Sequence, residues 1–223
     1  MKGRRRMPGA PAWFFLGGCA AVAGATFLPV VRQFDSVVGR AWYRSGSPTL
    51  TEAMEVLAQV GGRDRLVWWV PLVLGALYLG GGRRWLPFFV VAMLGSPLLE
   101  TAAKALVRRP RPAVGGGVRL DSFPSGHVLA ATVLAGALAI ILLPVCRRWW
   151  QRALLWSIAV AWVLAIGACR VYLGRHHLTD VLGSVLLGAA WLHCCHGWLA
   201  PRATSPESVQ EAVGLSPKGR VRR

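Results

Sequence analysis

Six apolar stretches, each close to 20 residues long, constrain this chain more than any other feature. A helix needs about 20 mostly apolar residues to cross the hydrocarbon core of a bilayer. No repeat of about 20 to 50 residues is found, so residues 1–200 are expected to form one membrane domain. The sequence therefore predicts an all-α fold, a six-helix transmembrane bundle, with spans near 12–31, 66–81, 85–106, 127–145, 153–172 and 178–199.

The composition fits the same class. Of 223 residues, 54% are hydrophobic and 16% are charged, a balance too apolar for an ordinary soluble domain. The net charge of +17 would suggest a nucleic-acid partner in a soluble protein. Here the basic residues lie between apolar stretches, where they attract anionic lipid headgroups. We therefore expect membrane lipids as partners and no nucleic acid.

The first stretch resembles a secretory signal. Residues 1–6 are basic, and Leu16-Gly17-Gly18-Cys19 is similar to a lipoprotein cleavage site. The apolar run nevertheless continues to Val31, which is long enough to span a membrane. We expect a retained helix.

Lys and Arg residues suggest the orientation. Every second segment outside the spans is rich in Lys and Arg. These segments are the N-terminus, the turn at 83–84, the turn at 147–152 and the C-terminal tail. The opposite side is also basic, so this assignment depends on giving those residues another role. The positive-inside rule then places both termini in the cytoplasm of a multi-pass protein of the cell (inner) membrane. The polar segment 201–223 is expected to be a disordered cytoplasmic tail.

The longest loop, residues 32–65, contains helix signals. Ser47-Pro48 is typical of a helix start, and Gly61-Gly62 is typical of a stop. Apolar residues recur between them at helical spacing, which predicts a short amphipathic helix in the outer interface. This interfacial helix could help a lipid enter the site or could serve packing alone. The apolar positions are Leu50, Met54, Leu57 and Val60.

The five cysteines show no CxxC spacing, and four of them lie in or beside apolar stretches. His193-Cys194-Cys195-His196 resembles a metal cluster, because residues i and i+3 share a helical face. Both cysteines point away from that face and no carboxylate is near, so we expect no metal site and no cofactor.

Three polar clusters at helix ends lie on one predicted face of the membrane, where ionisable groups are functional candidates. In the first, Lys104 ends a helix and Pro110-Arg111-Pro112 follows in an extended path. Lys104 and Arg111 can then converge on one anion, with Arg111 suited to bidentate phosphate binding. An ordinary basic flank is the alternative interpretation.

The second cluster is Pro124-Ser125-Gly126-His127, with Pro124 expected in the first turn of a helix. Free amides at a helix start bind phosphate, and Gly126 allows close approach of the backbone. The Ser125 hydroxyl and the amides of Gly126 and His127 could form an oxyanion cradle. His127 could protonate a leaving oxygen.

The third cluster contains Arg170, His176 and Asp180. His176 and Asp180 are expected to share a face at a helix start, so Asp180 could hold one imidazole nitrogen as N–H and leave the other to attack phosphorus. Arg170 would add a third cationic contact to the phosphoryl oxygens. His177 is the second choice for the nucleophile, and a simple hydrogen-bonded helix start is the alternative.

Together the clusters read Lys104-x6-Arg111-Pro112, Pro124-Ser125-Gly126-His127 and Arg170-x5-His176-x3-Asp180. This pattern resembles the type 2 phosphatidic acid phosphatase (PAP2) family, from the third span to the sixth. The resemblance implies a metal-independent lipid phosphatase with its site at the outer surface. By that resemblance His176 is the nucleophile, Asp180 its partner and His127 the general acid, and the phosphate ligands are Lys104, Arg111, Ser125, Gly126 and Arg170.

One residue departs from the family pattern, which usually has Ser where Cys169 stands. The substrate is left open among phosphatidate, phosphatidylglycerol phosphate and polyprenyl diphosphate, because the site residues recognise only the phosphoryl group. A phosphotransferase, a haloperoxidase-like enzyme and a non-catalytic lipid-binding protein are the alternatives. The oligomeric state cannot be read from the sequence.

Overall fold

The computed structural model describes residues 12–62, 65–115 and 121–201. The basic N-terminus and most of the expected disordered tail, residues 202–223, lie outside these ranges. The described part of the chain contains helices and no strands, which confirms the all-α prediction. The α-helices are α1 Ala12–Ala25, α2 Pro29–Trp42, α3 Pro48–Val60, α4 Leu66–Leu79, α5 Leu86–Val107, α6 Gly126–Leu142, α7 Trp149–Tyr172 and α8 Leu178–Leu199.

The first predicted span is not a single straight helix. Helix α1 ends at Ala25, and α2 begins at Pro29 after a bend of 88°. Leu28 has an extended backbone, as the residue before a proline prefers. The Thr26 hydroxyl donates to the Ala23 carbonyl at 2.7 Å, and the Arg32 side chain donates to the Thr26 carbonyl at 3.0 Å. Because of this bend, α2 approaches the end of the bundle that carries the polar clusters.

The predicted helix in the long loop is present. Helix α3 begins after Ser47, whose hydroxyl accepts from the Leu50 amide at 3.2 Å, and it ends before Gly61. It packs on α7, where Met54 and Leu57 contact Cys169 and its neighbours.

The core of the bundle lies between α5, α6 and α8, with α1 packed on α8. Phe88 and Phe89 of α5 meet Leu129 and Val133 of α6 in this core, all fully buried. Large apolar side chains also cover the outside, and Leu79 and Leu106 are 85% and 84% exposed. An apolar exterior of this kind faces lipid. The chain is a multi-span membrane protein.

Four helices in the described ranges, α5 to α8, are long and apolar enough to cross a membrane. The bent pair α1 and α2 would make a fifth span, and α4 is a shorter apolar helix of 14 residues. Helices α5 to α8 bring the three polar clusters to one end of the bundle. The C-termini of α5 and α7 meet the N-termini of α6 and α8 there.

Candidate active site

Four basic residues at the end of α5 and just after it point in different directions. Lys104 lies in the last turn, and its ammonium donates to Glu100 of the preceding turn at 2.6 Å. Arg108 follows with a left-handed backbone, φ 48°, and its side chain is exposed. This turn sends Arg109 into the protein, whereas Arg111 lies beyond it near the surface.

Arg111 forms a two-point contact with Asp121. Its Nε and one terminal nitrogen donate to the two oxygens of the Asp121 carboxylate at 2.8 and 3.1 Å. The arginine and aspartate side chains are 19% and 27% exposed. A guanidinium bound in this way presents the same fork that would bind a phosphate.

The second cluster forms the start of α6. Ser125 is the N-cap and the helix begins at Gly126, so Pro124 precedes the helix and the expectation that it lies in the first turn is wrong. The Ser125 amide donates to the Ser184 hydroxyl at 2.7 Å, which fixes the loop on α8. The Ser125 hydroxyl is buried and has no hydrogen-bond partner within the described ranges.

Gly126 is required by a close approach. A Cβ atom at this position would collide with the Glu100 carboxylate. Glu100 is itself buried and carries the Lys104 contact, so the end of α5 meets the start of α6 here. Lys104 is therefore linked to the start of α6 through the Glu100 carboxylate, which lies against Gly126.

His176 lies in the turn between α7 and α8, one residue before the N-cap His177. The Arg170 carbonyl accepts from the Arg175 and His176 amides at 3.0 and 3.3 Å, and Gly174 provides the positive φ of 63° that this tight turn needs. His176 is therefore held against the last turn of α7, next to Arg170, rather than on the helix face that its spacing suggested.

The Nδ1 atom of His176 lies 2.8 Å from the Ser122 carbonyl and 3.7 Å from the Asp180 carboxylate. A carbonyl only accepts, so Nδ1 carries the hydrogen and Nε2 has the lone pair. We expected Asp180 to hold that hydrogen; the direct acceptor is Ser122, and Asp180 acts on the ring by its charge. Burial lowers the pKa of His176, Asp180 opposes this shift, and the charges of Arg170 and Arg111 reinforce it.

Asp180 is a fully buried junction in the first turn of α8. One carboxylate oxygen accepts from Arg109 at 2.6 Å, and the other accepts from the Ser122 hydroxyl at 2.6 Å and the His177 amide at 2.8 Å. With the nearby ring of His176, the Asp180 carboxylate therefore has four neighbours, which come from the segment after α5, the loop before α6 and the turn before α8. Asp180 fixes the same residue, Ser122, whose carbonyl holds His176.

A second buried carboxylate, Asp35 of α2, completes this junction. It accepts from the other terminal nitrogen of Arg109 at 2.6 Å and from the Thr179 amide at 3.2 Å. Thr179 also receives a 2.7 Å hydrogen bond from Arg109. We refer to Asp35, Arg109, Thr179 and Asp180 as the buried network.

His127 and Arg170 line one open polar cavity of about 440 Å³. A Cβ atom on Gly62 would lie 3.2 Å from Nε2 of His127, so the tip of that ring faces the turn between α3 and α4. This turn and the start of α4 form the other wall of the cavity. The remaining lining residues are Ala58, Gln59, Arg65 and Trp68.

The structure thus brings the predicted residues to one end of the bundle, and it adds residues that sequence reasoning missed. The contacts that hold the predicted residues in place come from Asp35, Arg109, Ser122 and Glu100. A lone Asp in the amphipathic segment after the first span was an available signal for Asp35. No sequence signal distinguished Arg109 from Arg108, because which arginine is buried depends on the residue at which α5 ends.

The tandem His and Cys residues near the end of α8 do not form a convergent donor set. Cys195 is buried, and the His196 ring stacks edge-on against Phe88 with centroids 6.4 Å apart. Across the described part of the chain, no three His, Cys, Asp or Glu side chains are grouped as ligands for a metal ion.

Comparison with known proteins identifies the group to which this arrangement belongs. The family model described as the PAP2 superfamily matches residues 85–203, more than half of the chain. Phosphatidylglycerophosphatase B of Bacillus subtilis is 29% identical over 175 residues, covering 75% of this chain and 84% of that protein. Sphingosine-1-phosphate phosphatase 1 of Rattus norvegicus is 30% identical over 114 residues, covering 47% of this chain and 25% of the rat protein.

Two solved structures share the fold. The crystal structure of the PAP2 type phosphatidylglycerolphosphate phosphatase from Bacillus subtilis has a TM-score of 0.70 at 23% identity, covering 86% of this chain and 98% of that one. The structure of Aquifex aeolicus LpxE has a TM-score of 0.55 at 22% identity, covering 73% of this chain and 92% of that one.

Proposed function

Because this chain belongs to the PAP2 superfamily, whose lipid phosphatases hydrolyse phosphate esters, we propose that it dephosphorylates a membrane lipid through a phosphohistidine formed on His176. The observation that carries the mechanism is the 2.8 Å contact between Nδ1 of His176 and the Ser122 carbonyl. That contact fixes the hydrogen on Nδ1 and leaves the Nε2 lone pair for attack on phosphorus.

The first step forms the bond between Nε2 and phosphorus and breaks the bond between phosphorus and the lipid oxygen. His127 donates a proton to the departing oxygen. In the second step His127 accepts a proton from water, whose oxygen bonds to phosphorus as the bond between Nε2 and phosphorus breaks and phosphate leaves. Asp180 stabilises the positive charge that His176 acquires during attack. The lowered pKa of His176 keeps the ring neutral before attack.

The phosphoryl oxygens are bound by Lys104, Arg111, Arg170, the Ser125 hydroxyl and the amides that begin α6. Charge spreads over three equatorial oxygens in the transition state, which several fixed cations stabilise. The buried Ser125 hydroxyl supports this assignment, because an oxygen ligand would satisfy it. Since the chain supplies these cations itself, we propose that turnover needs no divalent metal and survives EDTA.

The proposed arrangement in the membrane has six spans. Helices α1 and α4 are each 14 residues long and would cross with help from their flanks, and α3 would lie in the outer interface. Residues 1–200 form the membrane domain, 201–223 form a cytoplasmic tail, both termini face the cytoplasm of the cell membrane, and the active site faces outward. The basic flanks support this orientation.

The substrate is proposed to be a phosphate monoester or diphosphate lipid. The similarity to a phosphatidylglycerophosphatase that spans most of both chains makes phosphatidylglycerol phosphate the first lipid to test. Phosphatidate and polyprenyl diphosphate present the same anionic group and belong in the same panel. Release of free phosphate by detergent-purified protein, with no added acceptor alcohol, distinguishes hydrolysis from phosphotransfer.

Three histidine variants test the mechanism. His176→Ala should abolish both turnover and an acid-labile phosphoenzyme, whereas His177→Ala should retain the phosphoenzyme. His127→Ala should recover activity on an aryl phosphate, because a phenol of low pKa leaves without a proton donor. Equal losses for the His176 and His127 variants on lipid and aryl substrates, in folded protein, would contradict this division of roles.

A further inference from the structure

Asp35 is distant in sequence from the proposed catalytic residues, but it lies close to them in the structure. It belongs to α2, outside the residues 85–203 that the family model matches, and its side chain is completely buried. One carboxylate oxygen accepts from Arg109 at 2.6 Å and from the Thr179 hydroxyl at 2.5 Å, and the other accepts from the Thr179 amide at 3.2 Å. Asp35 therefore joins α2 to the first turn of α8, which follows the turn that carries His176.

Arg109 is shared between two carboxylates. One of its terminal nitrogens donates to Asp180 at 2.6 Å, and the other donates to Asp35 at 2.6 Å. A guanidinium beside a single carboxylate favours a two-point contact with both oxygens. Because Asp35 holds one nitrogen, Arg109 binds one oxygen of Asp180, and the other oxygen of Asp180 stays with the Ser122 hydroxyl and the His177 amide.

The sharing also decides the charge of the buried network. Two carboxylates and one guanidinium give it a formal charge of −1. If the Asp35 carboxylate were neutral, Arg109 and Asp180 would cancel each other. The negative charge that Asp180 presents to its other neighbours therefore depends on Asp35.

The ring of His176 is the neighbour for which this charge matters most. Its Nδ1 atom lies 3.7 Å from Asp180, a distance at which charges interact strongly in a buried site. The other charged groups that act on the ring are Arg170 at the end of α7 and Arg111 after α5, and both are cations. The net negative charge of the buried network opposes these two cations when the ring becomes positive.

We propose that Asp35 is a positioning residue for the nucleophile: by sharing Arg109, it leaves the charge of Asp180 available to stabilise the positive charge that His176 acquires during attack. This inference rests on the proposed function, in which His176 forms the phosphohistidine. The hydrogen bonds of Asp35 within the described ranges go to Arg109 and Thr179, which are not among the proposed phosphate ligands. Loss of its charge should therefore slow formation of the bond between Nε2 and phosphorus and leave phosphate binding intact.

The test replaces Asp35 by Asn, which removes the charge and keeps the size of the side chain. Phosphate release from a lipid phosphate is measured as a function of pH for the wild type and the variant. On the pH plateau, kcat/KM should fall about tenfold, whereas the inhibition constant of inorganic phosphate should stay within about twofold. Such a split indicates a loss in the chemical step and not in anion binding.

The pH profile gives a readout that a purely structural role would not move. The acid limb of kcat/KM reports the proton on His176 in the free enzyme, and it should shift to lower pH in Asp35→Asn because less negative charge faces the ring. The ionisation of the substrate is the same for both proteins. His177 also faces Asp35 and Arg109, so the comparison is repeated with His177→Ala in both proteins, where the shift should persist.

Two further variants separate charge from packing. Glu55→Gln removes one carboxylate from α3, where Glu55 is half-exposed and pairs with Arg44 at 3.4 Å, and it should leave the rate and the pH profile unchanged. The double variant Asp35→Asn/Arg109→Gln has a formal charge of −1 again, on Asp180. Its acid limb should return toward that of the wild type, although two buried contacts are lost.

An acid limb that does not move in folded Asp35→Asn, or a shift that disappears with His177→Ala, would overturn the proposal. A rise in the phosphate inhibition constant as large as the loss of kcat/KM would also overturn it. Where Asp35→Asn does not fold, the smaller Asp35→Ser should give a shift in the same direction.

Failure of this proposal differs from failure of the proposed function. A wild-type protein that releases no phosphate from any lipid of the panel, or forms no phosphoenzyme, would contradict the phosphatase mechanism itself. A wild type that forms the phosphohistidine, with an Asp35→Asn variant that has the same rate and pH profile, would contradict only the role of Asp35.

Discussion

Arg109 and Arg111 are separated by one residue in the chain, yet they lie in opposite surroundings. Arg109 is 6% exposed and binds two carboxylates that are completely buried, those of Asp35 and Asp180. Arg111 is 19% exposed and binds a single carboxylate that is itself 27% exposed, that of Asp121. The first guanidinium stabilises the fold through two buried ion pairs, whereas we propose that the second exchanges its carboxylate partner for an anionic ligand.

The difference shows that neighbouring cations at this end of the bundle have different roles. A buried charge must keep its partners, because removing one leaves the others uncompensated in a medium of low polarity. A partly exposed ion pair contributes less to stability, because water competes with it and screens it. The four predictions below separate these two behaviours, beginning with the largest expected effect.

Replacing Arg109 by Ala should destabilise the protein by about 3–5 kcal/mol, because two buried carboxylates lose their counter-charge. Unfolding by denaturant in detergent micelles measures this loss. The double variant Arg109→Ala/Asp35→Ala should recover part of it, since one uncompensated charge is then removed. A loss below about 1 kcal/mol would mean that the buried network is not what stabilises this end of the bundle.

Replacing Arg111 by Ala should change stability by less than about 1 kcal/mol but lower kcat/KM for lipid phosphate about 100-fold. Arg111→Lys should recover little activity, because an ammonium cannot reproduce the two-point contact. The exposed neighbour Arg108 gives the matched control, and its replacement by Lys should leave activity unchanged. An Arg111→Ala enzyme with normal kcat/KM would remove Arg111 from the phosphate site.

Replacing Asp121 by Asn should strengthen anion binding, whereas replacing Arg111 should weaken it. The carboxylate competes with phosphate for the fork of Arg111, so its neutralisation should tighten inhibition by orthovanadate about two- to fivefold at low salt. The gain should shrink as ionic strength rises. Weaker inhibition in the variant would show that Asp121 positions Arg111 for the ligand instead of competing with it.

The smallest effect concerns pH. Burial lowers the pKa of His176 below its ordinary value of 6.5, so the unfolded chain takes up this proton more readily than the native protein. Stability should therefore be complete above about pH 6.5 and decrease as the pH falls toward the lowered pKa. Between about pH 7.5 and 5.5 the wild type should lose more stability than His176→Asn. Parallel curves would place the titration on other groups.

The sequence predicted the long helices well, because their apolar runs and glycine or proline ends are local signals. The bend at 26–28 was missed because an apolar run was counted through Pro29, although the residue before a proline disfavours the helix. Pro124 was misplaced by one position for a similar reason: the helix start belongs to Ser125 and Gly126, which meet α8 and Glu100 through tertiary contacts.

The candidate site could be predicted as a set of residues but not as a set of bonds. The joint spacing of three motifs pointed to His127, His176 and Asp180. It could not indicate that the Ser122 carbonyl, rather than Asp180, is the direct partner of Nδ1, since that contact depends on how the loop before α6 packs on α8. Asp35 lies on α2, outside the three motifs, and its role depends on the bend that precedes it.

The buried network also sets an order for synthesis. Asp35 reaches Arg109 across 74 positions and Thr179 across 144, so its last partner is made only when α8 begins to leave the ribosome. Until then a carboxylate and a guanidinium must wait in or near the bilayer with incomplete compensation. Insertion of the final helix is therefore the event that completes the buried network, and a nascent chain halted before it would carry all the proposed phosphate ligands and His176 but lack Thr179 and Asp180.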